Sequence, residues 1–337
     1  MKKILPIYSH NFWGDPAVAY LVLILGNHPD FSKWVINNLT NIYMHEDSSA
    51  RDGGFVKVDN LLSNPLLRTY SLPYEIFEHT SLPKSLFKKL LKEDFYIYGT
   101  FNRKMLNFRK EESFAHIMLI YGFEKSFSYY VDFMPHKNGR ASILKSNQTS
   151  LSSWNKAIYG FENDNLAVYL IKLNYNQSLD FDIPSLTSEI KKILSGTNFF
   201  QEDNEIYKKT EPNYIFTPNN CYTFGKNAFI TVSNFLLQTD YYKPRHLIII
   251  RDFLTIWKIR ISYLIEYKFI ITNSENILEL IDTSISQINN IFLRFLKLRY
   301  ATDNNQIARD KLSKDILRLW EQTEIFLLKT LENLGNL

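Results

Sequence analysis

The chain has a single cysteine, Cys221, among 337 residues. One thiol excludes an intrachain disulfide and a thiolate-rich metal site, and it fits a reducing compartment. The histidines are scattered without metal-ligand spacing, so no metal is expected. A dominant charge is missing as well: 39 basic against 35 acidic residues leave a formal charge of +4. Basic and acidic residues are interspersed, which argues against a dedicated nucleic-acid binder and leaves only a mild preference for an acidic partner.

Long uninterrupted hydrophobic runs are also lacking. The opening MKKILPIYSHNFWGDPAVAYLVLILG imitates a signal peptide with two lysines ahead of an apolar run, but polar and turn residues interrupt it. The run Ala17 to Leu25 is too short to span a bilayer. His246 to Ile271 is long enough, yet Arg251, Asp252, Lys258, Arg260, Glu266 and Lys268 punctuate it, and each is costly in hydrocarbon. A cytoplasmic protein with no membrane partner is therefore expected.

What is present is apolar material for two cores. The chain is longer than one ordinary domain, and 45% of it is hydrophobic and 15% aromatic. The composition turns to Ser, Asn, Thr and Gln in KSNQTSLSSWNKAIYGFENDN, so the expected division is 1–150 and 151–337. No internal repeat is found.

The first part mixes helices and strands. Gly14-Asp15-Pro16 reads as a turn into a helix that is apolar on every side and so buried all round. A second helix is expected over Pro29 to Tyr43, a loop over HEDSSARDGGFVKVDN, and an amphipathic helix over Leu82 to Glu93 with a lysine face. Strands are expected in DFYIYGTFN, SFAHIMLIYGFE and SFSYYVDFM, the last two joined by the hairpin connection GFEKS. One more strand, NLAVYLIKLN, precedes helices over Ser185 to Leu194, Ala228 to Thr239, from about Pro244, Ile277 to Tyr300, and Gln306 to Leu334. Apolar residues at three- and four-residue spacing, among them Ile281, Ile285, Ile288, Phe292 and Phe295, predict a packed bundle. The fold class is α+β followed by a mainly helical C-terminal domain.

Chemistry is suggested by an ordered set of residues. His116 lies in an apolar strand, where it is either a core histidine or a functional one. Asp132, flanked by YYV and FM, needs a partner because an isolated buried carboxylate is costly. Adjacent antiparallel strands would let the carboxylate orient the imidazole as the third member of a catalytic triad does. Position 17 opens a buried helix, where unpaired backbone N–H groups and the helix dipole favour a thiolate. Alanine stands there, and alanine does no covalent chemistry. Asn11, six residues upstream, has an amide able to donate to a developing oxyanion, although a turn-forming asparagine explains it equally well. Cys221, in FTPNNCYTFGK, is the rival nucleophile, but without a neighbouring basic residue it reads as an inert thiol.

Taken in order, DPAVAYLVLILG, FAHIMLIYGF and YYVDF resemble the papain-like acyltransferase family typified by butirosin biosynthesis protein H. The resemblance covers about residues 5 to 135 by motif and the remainder by architecture alone. It implies a papain-like cysteine-protease fold, with a central helix packed on an antiparallel sheet. It also implies amide formation without ATP in peptide-like, closthioamide-type natural-product assembly. The acyl or peptidyl chain would pass from a carrier-protein phosphopantetheine thioester to the cysteine and then to an amine, with no bound cofactor. His116 would serve as base, Asp132 as its orienter, and position 17 as the nucleophile site. Phe12, Trp13, Tyr222 and Phe224 would suit a tunnel for an aryl-capped acyl chain, or belong to the core. A peptidase or amidase of the same fold and a non-catalytic binding protein are the alternatives. Ala17 departs from the pattern, through replacement of a natural cysteine, natural loss of the thiol, or a wrong alignment.

Overall fold

The computed structural model describes residues 2–10, 16–49, 53–56, 64–73, 83–106, 115–135, 142–158, 167–197, 222–238, 240–241, 243–299 and 305–335. Contacts divide the chain into two compact units, each gathered from separated stretches. One comprises Met1–His10, Ala19–Pro29 and Asn60–Ser178; the other comprises Asn11–Val18, Asp30–Asp59 and Leu179–Leu337. Antiparallel sheets occupy the N-terminal part, and the C-terminal region is largely helical.

The first unit is built on a seven-stranded antiparallel sheet. Its strands are β1 (Lys2–Ile4), β4 (Leu67–Pro73), β5 (Tyr96–Asn102), β6 (Ala115–Glu124), β7 (Phe127–Pro135), β8 (Ser142–Ser150) and β9 (Ala167–Leu173), and β2 and β3 belong to the other unit. The order is β4-β9-β5-β6-β7-β8, with β1 added to β6. The sheet therefore continues past residue 150, and the polar stretch expected to mark a boundary there supplies β8, paired with β7 from Phe127↔Ser150 to Pro135↔Ser142. Polarity does not prevent a strand when a neighbour satisfies its backbone.

Hairpin β6–β7 turns through Lys125 and Ser126, with Lys125 at φ 53, and Glu124 pairs with Phe127. An irregularity between Ile120 and Gly122 breaks the register. Beyond it β1 replaces β5 as the neighbour of β6, with Ile4 opposite Gly122. A Cβ on Gly122 would stand 2.9 Å from the Lys3 carbonyl oxygen and 3.0 Å from the Ile4 Cα, so only glycine permits this approach.

Both faces of the sheet carry helices. On one face, α3 (Pro83–Lys92) and α4 (Ser153–Ile158) bring Phe87 and Trp154 against Phe101 and Tyr130. Trp154 is fully buried and donates its indole N–H to Ser128 at 2.6 Å. On the other face lies α1 (Pro16–Leu25), whose Tyr20 ring meets Tyr98 edge-on at 5.5 Å. Every residue from Val18 to Leu25 is buried, as an all-apolar helix requires.

The second unit corrects the helix expected over Pro29 to Tyr43. Helix α2 covers only Phe31–Asn37, Leu39 takes a left-handed φ of 57, and β2 (Asn41–His45) follows. Tertiary pairing overrides the helical spacing here. The Arg260 guanidinium donates to the carbonyls of Val35 and Asn38 at 2.9 and 2.5 Å, closing the end of α2. The segment expected as a loop contains β3 (Gly53–Val56), and β2 pairs with both β3 and β10 (Tyr222–Phe224).

The expected C-terminal helices are present as α5 (Ile183–Ser195), α6 (Lys226–Leu237), α7 (Arg245–Glu266), α8 (Ser274–Arg299) and α9 (Gln306–Leu334). Asp182 caps α5 by accepting from the Ser185 N–H at 3.0 Å, and Asn305 caps α9 by accepting from the Ala308 N–H at 3.0 Å. Ile281, Ile288 and Phe295 are buried on α8, and α9 packs on α8 and α6. Among the described residues no helix is long and apolar enough to cross a membrane.

Candidate active site

Strand order brings three side chains together in the first unit. Phe101 on β5 is opposite His116 on β6, and Asp132 on β7 is opposite Met118. Directly paired residues share a face, so Phe101, His116, Met118 and Asp132 all point to the side covered by α3 and α4. His116 Nδ1 lies 2.5 Å from Asp132 Oδ1. The expected pair is therefore brought together, with the carboxylate wholly buried and the imidazole 28% exposed.

A third member was not foreseen from the sequence. Arg103 follows directly after β5, in a 3-10 turn over Arg103–Leu106, and its Nε lies 3.2 Å from Asp132 Oδ2. The guanidinium side chain is only 4% exposed. One carboxylate thus faces a permanent cation with one oxygen and an imidazole with the other. Both are close charge contacts in which the donors are not well aligned as hydrogen bonds. The sequence does contain a signal: an aspartate inside YYVDFM must be compensated, and the nearest basic residue outside a strand is hard to choose without knowing that β6 lies between β5 and β7.

The buried surroundings are aromatic. Phe101, Tyr130 and Trp154 are all buried to completion. Burial pushes the Tyr130 phenol well above its ordinary range; the Asp132 carboxylate adds to the rise and Arg103 opposes it. Tyr130 is therefore a neutral phenol that feels both charges.

This arrangement can hold an imidazole in one orientation. With Nδ1 turned to the carboxylate, Nε2 is the nitrogen available for general acid–base work. His116 is the more exposed of the three, as a proton-transferring group must be.

The remaining expected site residues are distributed as follows. Asn11, Phe12 and Trp13 lie outside the described residues, as does Cys221. The backbone of Ala17 belongs to the first turn of α1, and its side chain lies outside the described residues. Three residues further along α1, Tyr20 donates its hydroxyl to the Ile117 carbonyl at 2.8 Å, next in sequence to His116. Alternation along β5 puts Tyr98, the ring against which Tyr20 packs, on the opposite face from Phe101 and His116. His10 also ties into this helix, its Nε2 donating to the Ala19 carbonyl at 2.9 Å, and burial lowers its pKa to about 4.

Tyr222 and Phe224 belong to β10 of the second unit. Tyr222 meets Tyr43 and His45 edge-on at 5.4 and 5.1 Å, and Phe224 is a buried core residue. Among the described residues no group of three His, Cys, Asp or Glu side chains is placed to hold a metal ion.

Compared with known proteins, the chain matches no family model and no curated sequence.

Proposed function

We propose that this protein has the scaffold of a papain-like acyltransferase. In this reading an acyl or peptidyl chain passes from a carrier-protein phosphopantetheine thioester to a cysteine at position 17, and then to an amine. The observation that supports it best is the 2.5 Å contact between His116 Nδ1 and Asp132 Oδ1, on the strands where a triad was expected. By the resemblance, His116 Nε2 would take the thiol proton, the thiolate would attack the thioester carbonyl, and the pantetheine thiol would leave; α1 packs through Tyr20 on the face opposite His116, so the resemblance and not the His116–Asp132 contact assigns the nucleophile to position 17. The amine then attacks the enzyme thioester, giving the amide and restoring the thiol. Exchange between thioesters is nearly balanced and aminolysis runs downhill, so ATP is not needed.

The chain as it stands has Ala17 and performs neither covalent step. Ala17→Cys, incubated with an acyl-pantetheine thioester, is expected to gain the acyl mass on residue 17, and an added amine should remove it as the amide. Loss of the acyl group to water alone would make the protein a hydrolase of the same chemistry. A folded variant that takes up no acyl group overturns the active-site reading. Ala17 itself favours a second reading, a protein that binds the acylated carrier without turning it over. In that case the unaltered chain should retain affinity for a carrier protein bearing a stable amide analogue of the acyl-pantetheine.

A further inference from the structure

We infer that Arg103 is the positioning residue of the site: it holds Asp132 by one carboxylate oxygen so that the other keeps His116 in its Nδ1–H form. The inference rests on reading His116 as the base of the proposed reaction, but its geometry belongs wholly to the first unit. Asp132 is opposite Met118, not His116, so strand register alone does not aim its carboxylate at the ring. Something must select the rotamer that reaches diagonally along the sheet. Arg103 is placed to do so, its Nε 3.2 Å from Oδ2, while Oδ1 is left 2.5 Å from the imidazole.

The backbone around Arg103 is well suited to a fixed clamp. Asn102 still pairs with Ala115 at the end of β5, and the chain then enters the 3-10 turn. Leu106, at the end of that turn, is buried, and its carbonyl accepts from the Thr149 hydroxyl of β8 at 3.3 Å. The turn is thus anchored on both sides of the β5-β6-β7-β8 run.

The test uses the chain with Ala17 in place and reads the His116 ring by two-bond 15N–1H NMR. The unaltered protein should show the Nδ1–H tautomer. Arg103→Met should yield a mixture of tautomers, and Arg103→Lys, which keeps the charge and fold but not the planar donor, a smaller change in the same direction. Asp132→Asn should also mix the tautomers, and adding Arg103→Met to it should change nothing further, because Arg103 acts only through Asp132. If Arg103→Met does not fold, the Lys variant and the double variant, which buries no unpaired charge, give the same comparison. An unchanged Nδ1–H signal in the Arg103 variants, or an equal additional change in the Asp132→Asn background, overturns the inference.

Activity is a separate arm. In the Ala17→Cys background, Arg103→Lys should slow acylation about tenfold, the usual size for loss of an outer positioning partner. If Ala17→Cys is never acylated while the tautomer still follows Arg103, the acyl-transfer reading fails and the clamp stands. If acylation occurs but neither tautomer nor rate follows Arg103, the clamp fails and the function stands.

Discussion

His116 and Asp132 meet diagonally across hairpin β6–β7, Nδ1 to Oδ1 at 2.5 Å, although Asp132 is registered opposite Met118. Diagonal neighbours on an antiparallel pair are about 7–8 Å apart, a span that a histidine and a short carboxylate can close together. The contact makes Asp132 an orienter of the ring, not a proton carrier.

Asp132→Asn tests that assignment. The amide has nearly the same volume but can present a donor to Nδ1, which favours the wrong tautomer. In the Ala17→Cys background the acylation rate should fall by about 10³-fold or more, judging from the effect of this exchange in serine-protease triads. Intact-protein mass spectrometry over time measures it. A rate within a few-fold of the parent would make Asp132 a purely structural partner of Arg103.

Acid should destabilise the fold through His246, a residue of the second unit. Its Nδ1 is 2.8 Å from the Tyr241 hydroxyl, which already donates to the Lys243 carbonyl at 2.8 Å. The hydroxyl has one proton to give, so His246 must donate from Nδ1. Burial lowers its pKa to about 4, with Arg245, Lys243 and His45 acting in the same direction. The folded value is below the unfolded one, so between pH 6.5 and about 4 the unfolded chain binds the extra proton. Stability is complete above the unfolded pKa and should decline by roughly 3 kcal/mol as pH falls through that window, at about 1.36 kcal/mol per unit. His10 is lowered to about 4 as well and contributes in the same sense. Urea denaturation at pH 7.5 and pH 4.5 reads the change, and His246→Gln, which keeps a donor for Tyr241, should reduce the difference.

Gly225 should tolerate no side chain. It takes φ 47 between β10 and α6, and a Cβ there would stand 2.5 Å from the Ile193 carbonyl oxygen and 2.8 Å from the Ile193 Cα. Both are backbone atoms of α5 and cannot swing aside. Gly225→Ala is expected to cost about 1–3 kcal/mol from the backbone conformation alone, with the clash added to that. Gly335→Ala, at φ −75 with its nearest contact at 3.3 Å, is the control and should change stability little. Thermal melting of the two variants beside the parent separates the cases.

Much of this was legible because it is local. The apolar helix after Pro16, the hairpin with His116 and Asp132 on adjacent strands, and the five C-terminal helices follow from periodicity, turn residues and capping side chains. The misreadings come from places where a distant partner decides. Phe31 to Ile42 carries helical spacing, yet Arg260 closes the helix at Asn38 and strands β3 and β10 claim the residues after it. The polar stretch that begins at Lys145 reads as a boundary, and β7 pairs with its first residues, through Ser150, as part of β8.

By itself the amino-acid order determined which chemistry was conceivable: one thiol in an unpromising setting, an alanine where the pattern wants a nucleophile, and a histidine and an aspartate one hairpin apart. Tertiary structure alone decided that Asp132 is shared between His116 and Arg103. A buried carboxylate announces in sequence that it needs compensation, but which cation provides it depends on strand order. That order arises from hydrogen bonds between strands β5, β6 and β7, not from any property of residues 103, 116 and 132 taken singly.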